Sequence, residues 1–360
     1  MDHGAVVMKT PEYQERVGAI HLHSEYSDGT LPIPEIAKIA GDKDLDFLMF
    51  SDHNTLAPKR EGLEGWYGSV LVLIGCELND PDERNHYLAF RIDKEIPTGQ
   101  WPDAYVKQVK EAGGFGIIAH PAEKRNFSDA YPPYPWTAWH IQDFDGIEIW
   151  NQLSEWIEGV TKRNFAWRVL HPLRSIRYPV WETLDRWDQL NCERRVVGIG
   201  GIDVHARRVR LLKLFSVEIY PYKVQFKSIR THFLVHPPIT PGSDFHVAES
   251  ILFDALTHGR CFISNYSVGD ARSFQFFAED QNDIYPMGSR IETYRSVVLS
   301  VRVPLRAKIR LLRNGSIIQQ KTAMELQFET SQAGVYRIEV FRKGRGWIYS
   351  NPIVLVKKKE

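Results

Sequence analysis

The chain has 360 residues, enough for two domains or for one barrel with an appendage. Lys plus Arg and Asp plus Glu number 45 each, so the net charge is zero, which argues against a polyanion-binding face over the whole molecule but leaves room for a local basic pocket. A hydrophobic content of 43%, three cysteines without paired or metal-type spacing, a polar stretch from Met1 to Arg16 and no apolar run of membrane-spanning length predict a soluble, cytoplasmic protein without disulfides.

In chain order, Val17 to Ile20 predicts a strand that runs into His21, Leu22 and His23. Pro32 to Ala40 predicts a helix, with Pro34 in its first turn, Ile36, Ala37, Ile39 and Ala40 as its apolar stripe and Gly41 as its stop. A strand from Asp46 to Phe50 precedes Ser51, Asp52 and His53, and another from Val70 to Ile74 precedes Glu77. Pro102 to Ala112 predicts a second helix, with Val106 and Val109 inward and Gly113 and Gly114 closing it. The strand Phe115 to Ala119 leads to His120. Residues Ser128 to His140, rich in Tyr, Pro and Trp, form either a rim loop or a packed connection. Further strands are Gly146 to Trp150, Val196 to Ile202, which leads to Asp203, Val204 and His205, and Leu214 to Ile219. About seven strands alternating with helices or loops predict parallel strands with right-handed crossovers, closed into a barrel whose chemistry lies at the C-terminal strand ends.

The pattern changes after Asp254 to Gly259, the last predicted helix. Short alternating segments follow at Ser273 to Phe277, Ser296 to Val303, Lys308 to Leu312, Ser316 to Gln320, Glu325 to Glu329, Gly334 to Phe341 and Ile353 to Val356, with Asn314-Gly315 as a tight hairpin signal. They predict a small antiparallel, immunoglobulin-like β-sandwich over residues 263–360, after an α/β barrel over residues 15–262.

Residues two apart in a strand share a face, so His21 and His23 can bind one metal while Leu22 packs away, and Asp203 and His205 repeat the arrangement around Val204. Gly29 permits a turn that returns Asp28 to the barrel mouth, although Asp28 also suits a turn or cap. Asp52 is either a partner of His53 or a cap. Glu77 ends a run too apolar to bury an unpaired carboxylate. His86 begins its strand, so it is a ligand if that strand runs antiparallel beside the mouth and a core histidine otherwise. His120 is placed at a C-terminal strand end. Cys76, next to Glu77, faces away and reads as a core residue. His3, His140, His171, His232, His236, His246 and His258 lack such placement. Six histidines and three carboxylates exceed what one ion needs, and the N/O mixture suits zinc, manganese or iron better than calcium or magnesium alone.

These residues, in His21-Leu22-His23, Ser27-Asp28-Gly29-Thr30, Ser51-Asp52-His53-Asn54, Gly75-Cys76-Glu77, Ala119-His120-Pro121 and Gly201-Ile202-Asp203-Val204-His205, resemble the PHP (polymerase and histidinol phosphatase) superfamily. Gly146 to Asn151, Gly259-Arg260 and Tyr349 to Ile353 look like the branch that includes carbaryl hydrolase, in which a β-sandwich follows the barrel. The resemblance implies a distorted (β/α)₇ barrel with two or three divalent ions: the first held by His21, His23, Glu77 and Asp203, the second by Asp28, His53 and His205, the third by Glu77, His86 and His120. It also implies phosphate-binding cations near the mouth, for which Lys124, Arg125, Arg207 and Arg208 are the candidates.

The resulting expectation is a phosphoesterase acting on a small phosphorylated molecule, with a metal-activated water as nucleophile and His205 or His120 as proton donor. The alternative is hydrolysis of a carboxylic ester or carbamate by the same water, with Trp136, Trp139 and Trp150 as apolar walls. A third reading, a non-catalytic binding protein using the barrel as scaffold, conflicts with the complete ligand set. Neither a membrane nor a nucleic-acid polymer is indicated as partner.

Overall fold

The computed structural model describes residues 12–125, 132–206, 208–211, 215–293 and 295–357. Its first strands are β1 (Gln14–Leu22), β2 (Phe47–Phe50), β3 (Gly65–Tyr67), β4 (Val70–Ile74), β5 (Cys76–Leu78), β6 (Tyr87–Phe90), β7 (Phe115–Ile118), β8 (Gly146–Asn151), β9 (Val197–Val204), β10 (Arg208–Leu211), β11 (Phe215–Glu218) and β12 (Ile229–Val235). The remainder are β13 (Cys261–Asn265), β14 (Gln275–Glu279), β15 (Ile284–Pro286), β16 (Arg290–Thr293), β17 (Val297–Arg313), β18 (Ser316–Thr330), β19 (Gly334–Arg342), β20 (Arg345–Ser350) and β21 (Ile353–Lys357).

In the first part of the molecule, hydrogen-bonded neighbours run in the order β3–β4–β2–β1–β9–β8–β7–β6–β5. The strands from β4 to β7 in this order are parallel, as a strand–helix alternation requires, and β6 is antiparallel to both of its neighbours. Only Gly75 separates β4 from β5, and a Cβ there would stand 2.3 Å from the Ala89 carbonyl. The Gly75 N–H donates to Phe50 O and the Glu77 N–H to Asp52 O, so the end of β2 also lies along β5, where His53 and Glu77 form a bridge.

The helix Ile33–Gly41 buries Ile33, Ile36, Ala37 and Ala40 against β1, β2 and β4, and the helix Pro102–Glu111 buries Tyr105, Val106 and Val109. Both carry proline in the first turn, where no intrahelical N–H is lost. Among the described residues, no helix is long and apolar enough to cross a membrane.

Two strand expectations are corrected. Phe215–Glu218 does not join the large sheet; it pairs with β10 in a separate two-stranded sheet, while β12, not foreseen, lies antiparallel to β1. Alternation identifies a strand but not the edge it will meet. In the C-terminal part, the expected pairs of short strands fuse into β17 and β18, 17 and 15 residues long. Their register shifts between Arg302 and Ala307, where Pro304 has no N–H to give, which is the break that reads as a strand end. The arrangement is also not wholly antiparallel, because β16 and β21 pair in parallel.

The large sheet continues across the expected domain boundary. β13 pairs with β12 on one side and β20 on the other. Two buried polar groups reinforce this region. His232 bridges Glu15 (2.6 Å from Nδ1) and the Ser264 hydroxyl (2.7 Å from Nε2), linking β1, β12 and β13. The order is that of a hydrolytic triad, but Ser264 is wholly buried, so here it pins strands. Arg337 on β19 makes a bidentate pair with Asp188 (2.5 and 2.7 Å), on the helix Trp181–Glu193, and a third bond to Glu339 (2.8 Å).

Candidate metal centre

The site begins with a departure from regular strand geometry. His21, His120 and Asp203 all have positive φ, at 65°, 28° and 55°. At His21 the register of β1 slips against both β2 and β9. Same-face alternation is therefore not what brings His21 and His23 together; a bulge at His21 re-aims its ring. Such backbone costs about 1–3 kcal/mol per residue and persists where surrounding contacts impose it.

Glu77 lies at the centre. Its Oε2 is 3.1 Å from His21 Nε2, 3.2 Å from His23 Nε2 and 3.5 Å from His53 Nδ1, and its Oε1 is 2.7 Å from His86 Nδ1 and 3.3 Å from His120 Nε2. Asp203 Oδ1 is 3.4 Å from His23 Nε2 and 3.5 Å from His205 Nδ1. Asp28 reaches His205 Nε2 at 3.0 Å and His23 Nδ1 at 3.7 Å. Gly29 makes this loop possible, since a Cβ there would meet the His23 carbonyl at 2.4 Å. Asp52 does not touch the His53 ring; it accepts hydrogen bonds from Ser24 N, Ser24 Oγ and Ser27 Oγ and so holds the turn that presents Asp28. Cys76 packs in the apolar core.

All nine residues singled out in the sequence thus meet, in four overlapping groups whose ligand atoms lie within 4.8 Å: His21–His23–Asp203, His23–Asp28–His53–His205, His21–Glu77–His120 and His53–Glu77–His86. The shared members suit neighbouring ions with common ligands. The donor chemistry also fits cations. His23 is wholly buried, and both of its ring nitrogens face carboxylates yet neither makes a hydrogen bond. Burial opposes charge on His23, but Asp203 and Glu77 overcome it and raise its pKa to about 10. Glu77 and Asp203 are held well below the usual carboxylate range in spite of burial, chiefly by His21. His53 falls to about 4, mainly through burial. Buried carboxylates at this density require positive charge among them, which protons or divalent ions can provide.

Glu148 was given no role in the sequence reading. It is buried on β8, accepts from His21 Nδ1 (3.0 Å), from the His120 N–H (2.8 Å) and from Asn151 Nδ2 (2.9 Å), and so turns His21 Nε2 toward the cluster. A lone glutamate in an otherwise apolar strand was the available signal. A Cβ on Gly201 would stand 1.7 Å from Glu148 Oε1. Glu148→Gln and Gly201→Ala are both expected to weaken metal binding by about 10–100-fold, read by competition with a chelator; unchanged affinity in both would remove Glu148 from this role.

The cationic candidates separate. Lys124 turns to Glu182 (2.8 Å). Arg125 pairs with Glu123 (2.8 Å) and lies over the Tyr134 ring at 4.7 Å, and Tyr134 stacks on His86 at 5.1 Å. Arg207 lies outside the described residues, and Arg208 is on β10. Trp136 belongs to the core and Trp139 is half-buried against it. Trp150 lines a cleft with His120, Glu148 and Tyr178. Tyr134 had no motif to announce it.

No family model matches the chain. It is 27% identical over 145 residues to an uncharacterized protein of Methanocaldococcus jannaschii, covering 37% of this chain and 80% of that one. Among solved structures, it is similar to a two-domain protein of Bacteroides vulgatus containing a predicted PHP-like metal-dependent phosphoesterase (15% identity, 94% and 95% of the two chains, TM-score 0.45). It is also similar to an amidohydrolase from Chromobacterium violaceum with bound sulfate and no metal (14% identity, 52% and 87%, TM-score 0.33).

Proposed function

We propose that this chain is a PHP-type, metal-dependent hydrolase of phosphoric esters. The observation that carries the reading is the meeting of nine N and O donors around Glu77, with the wholly buried His23 hydrogen-bonded at neither ring nitrogen. The run of parallel strands β4–β2–β1–β9–β8–β7, continued by β6 and β5 with the donors near strand ends, supports a distorted, open barrel-like sheet, and the separate apolar core of residues 262–355 supports a second unit from about residue 263.

Two or three divalent ions, in zinc, manganese or iron form, would be held by His21, His23, Asp28, His53, Glu77, His86, His120, Asp203 and His205, and would supply Lewis acidity and a nucleophilic water at neutral pH. The protein's own groups do the rest. Glu148 and Asn151 fix His21 and the His120 backbone. Arg125, braced by Glu123 and Tyr134, which stacks on His86, would orient a phosphoryl group there. His205 Nε2 lies 3.0 Å from the half-exposed Asp28, so this edge of the donor set is the one a leaving group would face from solvent.

The test is a screen of the manganese- or zinc-loaded chain against small phosphomonoesters and phosphodiesters, with His23→Ala as control. Arg125→Ala is expected to raise KM for phosphate esters by about tenfold or more. Turnover no higher than the control would sink the proposal. Aryl carboxylic esters and carbamates form the second arm, because Trp150 and Tyr178 give the adjoining cleft an aromatic wall.

A further inference from the structure

A second cleft lies away from the metal centre, where the two parts of the chain meet. Arg195, Val196, Gly259, Gly288, Arg290 and Asn351 are among the residues that bound it, and its volume is about 290 Å³. Val196 immediately precedes β9, whose far end carries Asp203, so the cleft and the ligand cluster are separated by roughly 20 Å of strand. Neither site can share a small ligand with the other.

The charges in this cleft are unbalanced. Arg195 spends one nitrogen on the Gly288 carbonyl (3.1 Å), and among the described residues it has no carboxylate partner. Arg290 makes no side-chain hydrogen bond or ion pair among them. Arg260, adjacent in chain to Gly259, is paired with Asp254. Partial burial pulls the Arg195 pKa down, and Arg260 and Arg290 add to the effect, with no acidic group offsetting them. The polar atoms of Asn351 are already used: its Nδ2 donates to Gly198 O and Cys261 O, and its Oδ1 accepts from Gly198 N. The two glycines form a close backbone floor. A Cβ on Gly288 would stand 2.1 Å from the His258 carbonyl, and both glycines have positive φ. The cleft therefore presents guanidinium groups over a floor without side chains, in a volume suited to a small molecule rather than to a polymer.

We infer that this cleft is a binding site for a small phosphorylated molecule, its phosphate held by Arg195 and Arg290. Guanidinium groups match phosphate oxygens in shape and charge, and an anion there relieves the repulsion between them. The site joins the segment before β9 (Arg195, Val196) to Gly288, Arg290 and the start of β21, so its occupancy favours the docked arrangement of the two parts.

Pyrophosphate is the probe. Calorimetric titration of the metal-loaded whole chain is expected to resolve binding that Arg195→Ala/Arg290→Ala weakens by about tenfold or more per arginine removed. Both side chains are exposed, so the variant should keep the wild-type melting temperature without the anion and lose the stabilisation the anion gives. Glu77→Gln, which alters only the metal centre, should retain this binding. The inference is overturned if the double variant binds pyrophosphate as the wild type does, or if the binding disappears in Glu77→Gln. Chloride at equal ionic strength giving the same stabilisation would also overturn it, as would a single-stranded oligonucleotide binding these arginines more tightly than pyrophosphate.

Discussion

Glu77→Gln is expected to lower hydrolysis by about 10³-fold while leaving the chain folded. The change alters one charge and one acceptor in a side chain of almost the same volume. It acts where five imidazoles converge within 3.5 Å of one carboxylate. All four donor groups lose their balance together: Glu77 belongs to two directly, and the His23 of the other two rests on it. The metal content of the purified chain should fall as well, measured by elemental analysis beside wild type. The carboxylate is held well below its usual range in spite of burial, chiefly by His21, so the lost charge is a full one at neutral pH. Activity within about tenfold of wild type, at full metal content, would show that Glu77 is not the hub described here.

The second large effect concerns stability. Arg337 and Asp188 are both buried, at 3% and 6% side-chain exposure, and they join β19 to the helix Trp181–Glu193. Removing one partner leaves an uncompensated buried charge, so Asp188→Leu or Arg337→Met is expected to cost about 3–5 kcal/mol in urea unfolding. The two are not equivalent. Arg337 keeps Glu339 when Asp188 is lost, whereas among the described residues Asp188 keeps no charge partner when Arg337 is lost. Arg337→Met should therefore be the more damaging, and the double variant Asp188→Leu/Arg337→Met should recover much of the loss. A cost below about 1 kcal/mol for both single variants would reduce the pair to the level of surface ion pairs.

Most of the candidate ligand set could be read from the sequence because those residues stand next to apolar runs, where burial of a charged group demands a partner, whereas Asp28 was legible only through the turn that Gly29 allows. His86 could be read only conditionally. Its position depends on the direction of β6, and direction is fixed by pairing with β5 and β7, not by the residues of β6 itself. The bulge at His21 was hidden for a related reason: a left-handed histidine leaves no mark on the hydrophobic pattern. Glu148 carried a mark, a carboxylate inside Gly146 to Asn151, but lies on no ligand motif. Tyr134 comes from a Pro- and Tyr-rich segment, whose described residues are placed by contacts such as Tyr134 N to Glu123 and Thr137 to Asn85 rather than by any period. In the C-terminal part the turn at Asn314-Gly315 was legible from composition, while the fusion of strands across Pro304 was not, since a proline at a bulge and a proline at a strand end look alike in a sequence.

β13 has a consequence for the order of events during synthesis. Its inner edge pairs with β12, which precedes it by some thirty residues, but its outer edge pairs with β20, which begins only at Arg345. A ribosome adding about 5–20 residues per second leaves that outer edge bare for on the order of ten seconds after β13 itself is complete. Throughout that interval Phe262, Ile263 and Ser264 offer free backbone groups to any neighbouring nascent chain. Yield in a cell should therefore depend on translation speed across residues 266–345 more than on the final stability of the molecule.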